Sequence, residues 1–220
     1  MSATTQAELW TTISSHEELE GLLGTPNERA ANKGRPALLP VDLDWLAASP
    51  FCVMATSDGH GNCDASPKGD PPGQLVHVID DRTIALAERP GNKRADGYKN
   101  ILVNPHVGLN FLIPGRGDTL RINGRARLVS DAPFFDEMVV KGHRPILVVV
   151  VDIEEVFSHC AKAFLRSGLW QPETWDPEGH VPRRAVIANE AEASEMTLEE
   201  LEVYYAPENY NKGLYGTHHA

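Results

Sequence analysis

Apolar residues fall into distinct textures along the chain. In residues 14–23, Leu19, Leu22 and Leu23 recur at helical spacing behind Ser14, Ser15, Glu17 and Glu18, a start of capping-box type. Gly24, Thr25 and Pro26 end that helix. Residues 27–39 hold few core candidates and read as a surface loop. Residues 41–48 predict a short helix with Trp45 and Leu46 turned inward, closed by Pro50. From Phe51 onward, short apolar runs are interrupted by Gly, Asp, Asn and Pro, as in an antiparallel sheet. Strands are predicted over 51–57 and 62–66 about Asp58-Gly59-His60-Gly61, and over 75–79 and 83–87 about Asp80-Asp81-Arg82. A third pair, 106–113 and 119–130, flanks Pro114-Gly115-Arg116-Gly117-Asp118. A helix over 93–102 takes Asn92 as its cap, and a short helix over 132–140 takes Ser130 or Asp131. The last long strand, 146–157, opens on the most apolar run of the chain, 146–151, rich in branched residues.

Six or seven antiparallel strands joined by short helices must close or stack, so the pattern predicts a mostly-β fold, a closed or nearly closed barrel with flanking α-helices. Long helices between strands and a Gly-x-Gly-x-x-Gly fingerprint are both missing, which argues against a doubly wound parallel sheet. Three stretches follow: a helical and loop extension over 1–40, the barrel domain over 41–175, and an acidic extension over 176–220. Within that extension a helix is expected to start at Ser194 or Thr197.

A formal net charge of −11 argues against general binding to nucleic acid or anionic membranes, since both require a cationic surface. Between Arg82 and Arg127, however, basic residues outnumber acidic ones. A basic middle in an acidic protein suits a small anionic ligand better than a polymer. Cys52, Cys63 and Cys160 are odd in number and include no Cys-x-x-Cys pair, so neither a disulfide framework nor a thiolate zinc site is indicated, and a cytoplasmic location is expected. Residues 1–10 lack the pattern of a secretory signal, and no apolar run is long enough to span a bilayer.

The richest chemistry lies in Glu88-Arg89-Pro90-Gly91-Asn92-Lys93-Arg94, between a strand-like run and the predicted helix. Unpaired amides at a helix start, crowded by Arg89, Lys93 and Arg94, form a ready phosphate site; a solvated basic turn is the plainer reading of the same residues. Lys68, between Pro67 and Gly69 at a strand end, is either an aimed cation or an exposed turn lysine. Thr119, Arg121 and Asn123 share one face of their strand and Leu120 and Ile122 the other, a pattern of solvent-facing or groove-lining side chains. Arg121 would add charge beside the Arg89–Arg94 cluster if the two strands are neighbours. His159 and Cys160 are adjacent on an extended segment and point apart, without a third orienting group for nucleophilic chemistry. The other histidines lack metal-ligand spacing.

Taken together, Ser66-Pro67-Lys68-Gly69-Asp70, Arg89-Pro90-Gly91-Asn92-Lys93-Arg94, Thr119-Leu120-Arg121-Ile122-Asn123-Gly124-Arg125-Ala126 and Cys160-Ala161-Lys162-Ala163-Phe164-Leu165-Arg166-Ser167 resemble the pyridoxamine 5′-phosphate oxidase-like flavoproteins over roughly residues 41–175. The resemblance implies an FMN-binding split β-barrel, antiparallel and of Greek-key type, working as a homodimer with FMN at each subunit interface. It implies that Arg89, Asn92, Lys93 and Arg94 hold the phosphate, and that Ser66 and Lys68 approach the ribityl chain and ring. Thr119 and Arg121 would contact the cofactor from the later hairpin, and Lys162, Arg166, Ser167 and Trp170 would reach it from the partner subunit. The glutamine usual at the position of Thr119 is missing, and Tyr204, Tyr205 and Tyr210 stand near the end in place of an Arg-Leu-His-type substrate contact. The resemblance therefore carries the cofactor and fold rather than the reaction. The expected function is FMN-dependent oxidation or reduction of a small organic substrate, with a nicotinamide as a candidate electron donor. Alternatives are a deazaflavin-dependent reductase on the same barrel and a non-catalytic flavin or haem binder.

Overall fold

A computed structural model describes residues 10–176, 179–192 and 195–215. The chain divides into two compact units, 1–34 and 35–220. In the first, helix α1 (His16–Leu23) starts as its sequence dictates: Ser15 Oγ accepts from the Glu18 amide at 3.1 Å, and the Glu18 carboxylate accepts from the Ser14 amide at 2.8 Å. Its expected apolar face is not buried, for Leu22 and Leu23 stay exposed. Asn27 caps a single turn, α2 (Glu28–Ala31), inside the stretch expected to be loop.

The second unit opens at Arg35, whose backbone exchanges two hydrogen bonds with Val156 and whose guanidinium grips Asp42 through contacts of 2.7 and 3.0 Å. Asp42 also accepts from the Leu39 amide, fixing the start of α3 (Pro40–Ala48), and Leu46 of that helix enters the core. Seven strands follow: β1 (Phe51–Ser57), β2 (Cys63–Gly69), β3 (His77–Asp80), β4 (Thr83–Ala87), β5 (His106–Leu112), β6 (Thr119–Val129) and β7 (Val148–His159), with helix α4 (Asp96–Val103) between β4 and β5. They form one antiparallel sheet in the order β2-β1-β5-β6-β7-β4-β3. The fold is thus a split β-barrel with flanking helices; the sheet does not strictly close, and β2 and β3 are its edges.

Several boundaries differ from expectation for identifiable reasons. Strand β2 runs three residues past 66, because it is an edge and Pro67 costs no ladder hydrogen bond there. Strand β3 starts at His77 rather than at 75, after a turn in which Gly73 takes φ 78°. The expected helix over 132–140 is a 3₁₀ turn, Pro133–Met138, capped by neither Ser130 nor Asp131. Asp131 instead pairs with Arg144 at 2.7 Å, as does Asp136. Ile146 lies outside β7 and is 83 % exposed, so the apolar run enters the sheet only at Val148.

The main core joins Leu109 and Phe111 of β5, Leu120 and Ile122 of β6, Val149, Val151 and Val156 of β7, and Tyr98 and Ile101 of α4. Val148 and Val150 face the other way and are covered by Phe135 and Met138. Burial on both faces explains why 148–151 is continuously apolar rather than alternating; each such side chain contributes about 1.5–3 kcal/mol. After β7 come α5 (Lys162–Ser167), α6 (Arg184–Ala191), α7 (Leu198–Tyr205) and α8 (Pro207–Tyr210), the middle two sharing a small core of Ala185, Ala188 and Leu201. Thr197 caps α7 in a reciprocal pair with Glu200; Ser194 lies outside the described residues. No helix among the described residues is long and apolar enough to cross a membrane.

Candidate functional site

A cavity of about 560 Å³ opens between β2, the loop after β4 and the start of α4. Alternation along β2 turns Asp64, Ser66 and Lys68 to one face, opposite Thr56, Met54 and Cys52 of β1, while Ala65, Pro67 and Gly69 take the other. Helix α4 lies close over that first face. A Cβ on Gly97 would meet the Asp64 carboxylate at 3.0 Å and the Thr56 hydroxyl at 3.5 Å, so glycine permits the approach. Asn100 and Asn104 tie the helix down by donating to Thr56 and Ser57 of β1.

The loop before α4 corrects the sequence reading. Asn92 is not a helix cap: its side chain accepts from the Arg94 amide at 3.1 Å, and the helix begins at Asp96, three residues later than expected. Between them Lys93 (φ 58°) and Ala95 (φ 56°) adopt the left-handed conformation. Each such non-glycine residue costs about 1–2 kcal/mol, a strain characteristic of sites where backbone amides are presented to a ligand.

Four cations and four carboxylates line the cavity: Lys68, Arg89, Lys93 and Arg94 against Asp64, Asp70, Glu88 and Asp96. Their pairing separates their roles. Arg89 is anchored, since Nε donates to Asp70 at 2.8 Å and Nη2 to the Met138 carbonyl at 3.1 Å. Asp70, its side chain 2 % exposed, also accepts from the Tyr215 hydroxyl at 2.8 Å. Arg94 bonds to Asp96, which holds the Asp96 carboxyl below its ordinary range and raises the guanidinium further; both groups are open to solvent. Among the described residues Lys93 has no carboxylate partner within ion-pair reach. On the opposite wall the Lys68 ammonium donates to the Tyr98 hydroxyl at 2.5 Å and to Glu88 at 3.3 Å, and Tyr98 donates to Glu88. Lys68 also sits 4.5 Å from the centre of the Tyr98 ring. This chain of donors joins an ammonium, a phenol and a carboxylate and can hold or pass a proton at the cavity surface.

Of the twelve residues singled out from sequence, the cavity gathers Ser66, Lys68, Arg89, Asn92, Lys93 and Arg94. The other six lie elsewhere. Thr119 is buried, and Arg121 spreads over the Phe157 ring at 5.1 Å; β7 separates β6 from β4, so Arg121 does not join the Arg89–Arg94 cluster. Lys162 and Arg166 are exposed on α5, Ser167 bonds to the Phe164 carbonyl, and the Trp170 indole donates to the Arg116 carbonyl at 2.6 Å. Sequence reasoning missed Tyr98, Asp70, Glu88 and Tyr215 as working groups. Asp70 and Glu88 stood inside motifs already noticed, whereas nothing local in the sequence marks Tyr215. Cys52 offers no nucleophile, for burial pushes its thiol up to about 12.

The family model for pyridoxamine 5′-phosphate oxidase matches residues 41–160, more than half of the chain. This chain belongs to the pyridoxamine 5′-phosphate oxidase family. The matched segment carries both walls of the cavity and ends just after β7, so Tyr215 lies outside it. Solved structures similar to this family member include HupZ from Group A Streptococcus, at 18 % identity over 55 % of this chain and 94 % of that one, with a TM-score of 0.45. General stress protein 26 from Bacillus anthracis is 12 % identical over 53 % and 88 %, TM-score 0.41. A FAD-binding protein from Mesorhizobium loti is 16 % identical over 57 % and 96 %, TM-score 0.39. No curated protein matches the chain in sequence.

Proposed function

We propose that this member of the pyridoxamine 5′-phosphate oxidase family binds FMN in the cavity and is an oxidoreductase acting on a small organic molecule. The observation that carries the reading is the convergence of Lys68, Asn92, Lys93 and Arg94 on one cavity beside a left-handed loop at Lys93 and Ala95. The residues fit the group. The volume lies within the roughly 300–1,000 Å³ of small-molecule sites, and exposed cations beside presented amides suit a phosphate monoester. Lys93 and Arg94, with Asn92, would hold the phosphate, while Arg89 fixes the loop that carries them. FMN, when bound, supplies the hydride and electron chemistry. Lys68, oriented by Tyr98 and Glu88, would hold a positive charge or a proton at the wall, and Ser66 on the same face of β2 adds a hydroxyl.

A homodimer completes this reading. Val53, Asn110, Arg121 and Phe157 are paired in register on one half-buried sheet face, and the buried Asn110 Oδ1 has no hydrogen-bond partner among the described residues. A second copy against that face would cover it and bring Thr119, Arg121 and the segment with Lys162, Arg166, Ser167 and Trp170 toward a neighbouring cavity. No histidine, cysteine or methionine lines the cavity among the described residues, and the Tyr98 hydroxyl is engaged by Lys68 and Glu88, which weighs against haem there.

The test is the visible spectrum of freshly purified protein, with mass identification of any molecule released by heat. Flavin bands and a mass matching FMN support the proposal; a colourless protein that also fails to bind added FMN removes it. Titration with deazaflavin beside FMN separates the two cofactors. Lys68→Ala is expected to weaken FMN binding about tenfold, corresponding to about 1.4 kcal/mol, in a fluorescence titration. Unchanged affinity and unchanged photoreduction would remove Lys68 from the site.

A further inference from the structure

We propose that residues 214 and 215 form a selective wall of the cavity, with Tyr215 the positioning residue that seats the wall and Leu214 the side chain that sets which molecules pass. The bound group behind the wall is taken from the flavin reading above; the wall itself rests on separate contacts. Every other described residue lining the cavity comes from 64–98, yet Leu214 joins them from a distant part of the chain, beyond the segment that matches the family.

The seat is built from several elements. The Tyr215 hydroxyl donates to Asp70 Oδ1 at 2.8 Å, while the other oxygen of that buried carboxylate is held by Arg89. The Tyr215 ring lies 5.8 Å from the Arg89 guanidinium and 5.1 Å from the Lys141 ammonium, and stacks at 6.4 Å on His143. One aromatic ring thus meets the end of β2, the loop after β4 and the turn at 140–143. Leu214 is 48 % exposed and belongs to none of the buried apolar clusters, so its place on the cavity is not a by-product of core packing. An apolar rim on a cavity otherwise rich in charge favours a small molecule with one apolar edge and one group able to accept from Lys68.

The test uses the full chain loaded with FMN, as wild type and as Tyr215→Phe, Leu214→Ala and Leu214→Trp. Quenching of bound-FMN fluorescence by acrylamide reports access through the wall, and titration reports FMN affinity. Tyr215→Phe and Leu214→Ala should each raise quenching about threefold and Leu214→Trp should lower it, with FMN affinity of the two Leu214 variants within about twofold of wild type. Bound FMN with quenching unchanged in both Leu214 variants overturns the wall. If wild type binds no FMN, the flavin reading fails and the wall is judged by hydrogen exchange instead. Amides of residues 88–94 exchanging about fivefold faster in Tyr215→Phe than in wild type support the seat, and equal exchange overturns it.

Discussion

Asp70 shows how one residue can order a site without facing a ligand. Its carboxylate is almost wholly withdrawn from water, so both oxygens must be satisfied internally, and Arg89 and Tyr215 do so. Arg89 is thereby paired deep in the wall, and attraction for an anion falls first to Lys93, with Arg94 beside it in a solvent-exposed pair with Asp96. Removing one partner of such a pair leaves the other charge buried and uncompensated. Asp70→Ala is accordingly expected to cost about 3–5 kcal/mol in urea unfolding, well above the cost of deleting an exposed carboxylate such as Asp136.

At the scale of elements, the junction of β6 and β7 turns on Gly124. Register shifts between Asn123, opposite Glu155, and Gly124, opposite Ile153, which is a β-bulge. A Cβ on Gly124 would stand 2.2 Å from the Asp152 carbonyl oxygen, a backbone atom that cannot swing aside. Gly124→Ala should therefore destabilise the protein by about 1–3 kcal/mol, read from thermal and urea unfolding, even though alanine is only one methyl larger. Elements of this kind mark the boundary of what the sequence discloses. Strand positions were legible because β1, β5 and β6 alternate against a single core, and the cations after β4 were conspicuous. The bulge was not, because Gly124 sits in a run that reads as unbroken strand. Nor was the late start of α4, since Asn92 has the chemistry of a cap and only the backbone at Lys93 and Ala95 shows that it closes a turn instead. Tyr215 was beyond any local pattern, because its partners lie in other parts of the chain.

For the molecule as a whole, the Tyr215 contact makes stability depend on alkaline pH. Burial, then the hydrogen bond to Asp70 and its charge, push the Tyr215 phenol up to about 12 from an ordinary value near 10. A group raised in this way binds its proton more tightly in the folded state. Its contribution is complete below about pH 10 and is lost as pH rises through about 12. Wild type should lose stability across that window more steeply than Tyr215→Phe, which equilibrium unfolding at successive pH values will measure. The same contact spans 145 residues of sequence. A ribosome adding about 5–20 residues per second releases the last strand, ending at His159, seconds before residue 215 emerges. A sheet that folded as it emerged would surround an Asp70 still lacking its phenol, and the loop would be locked only once residues 214 and 215 arrived.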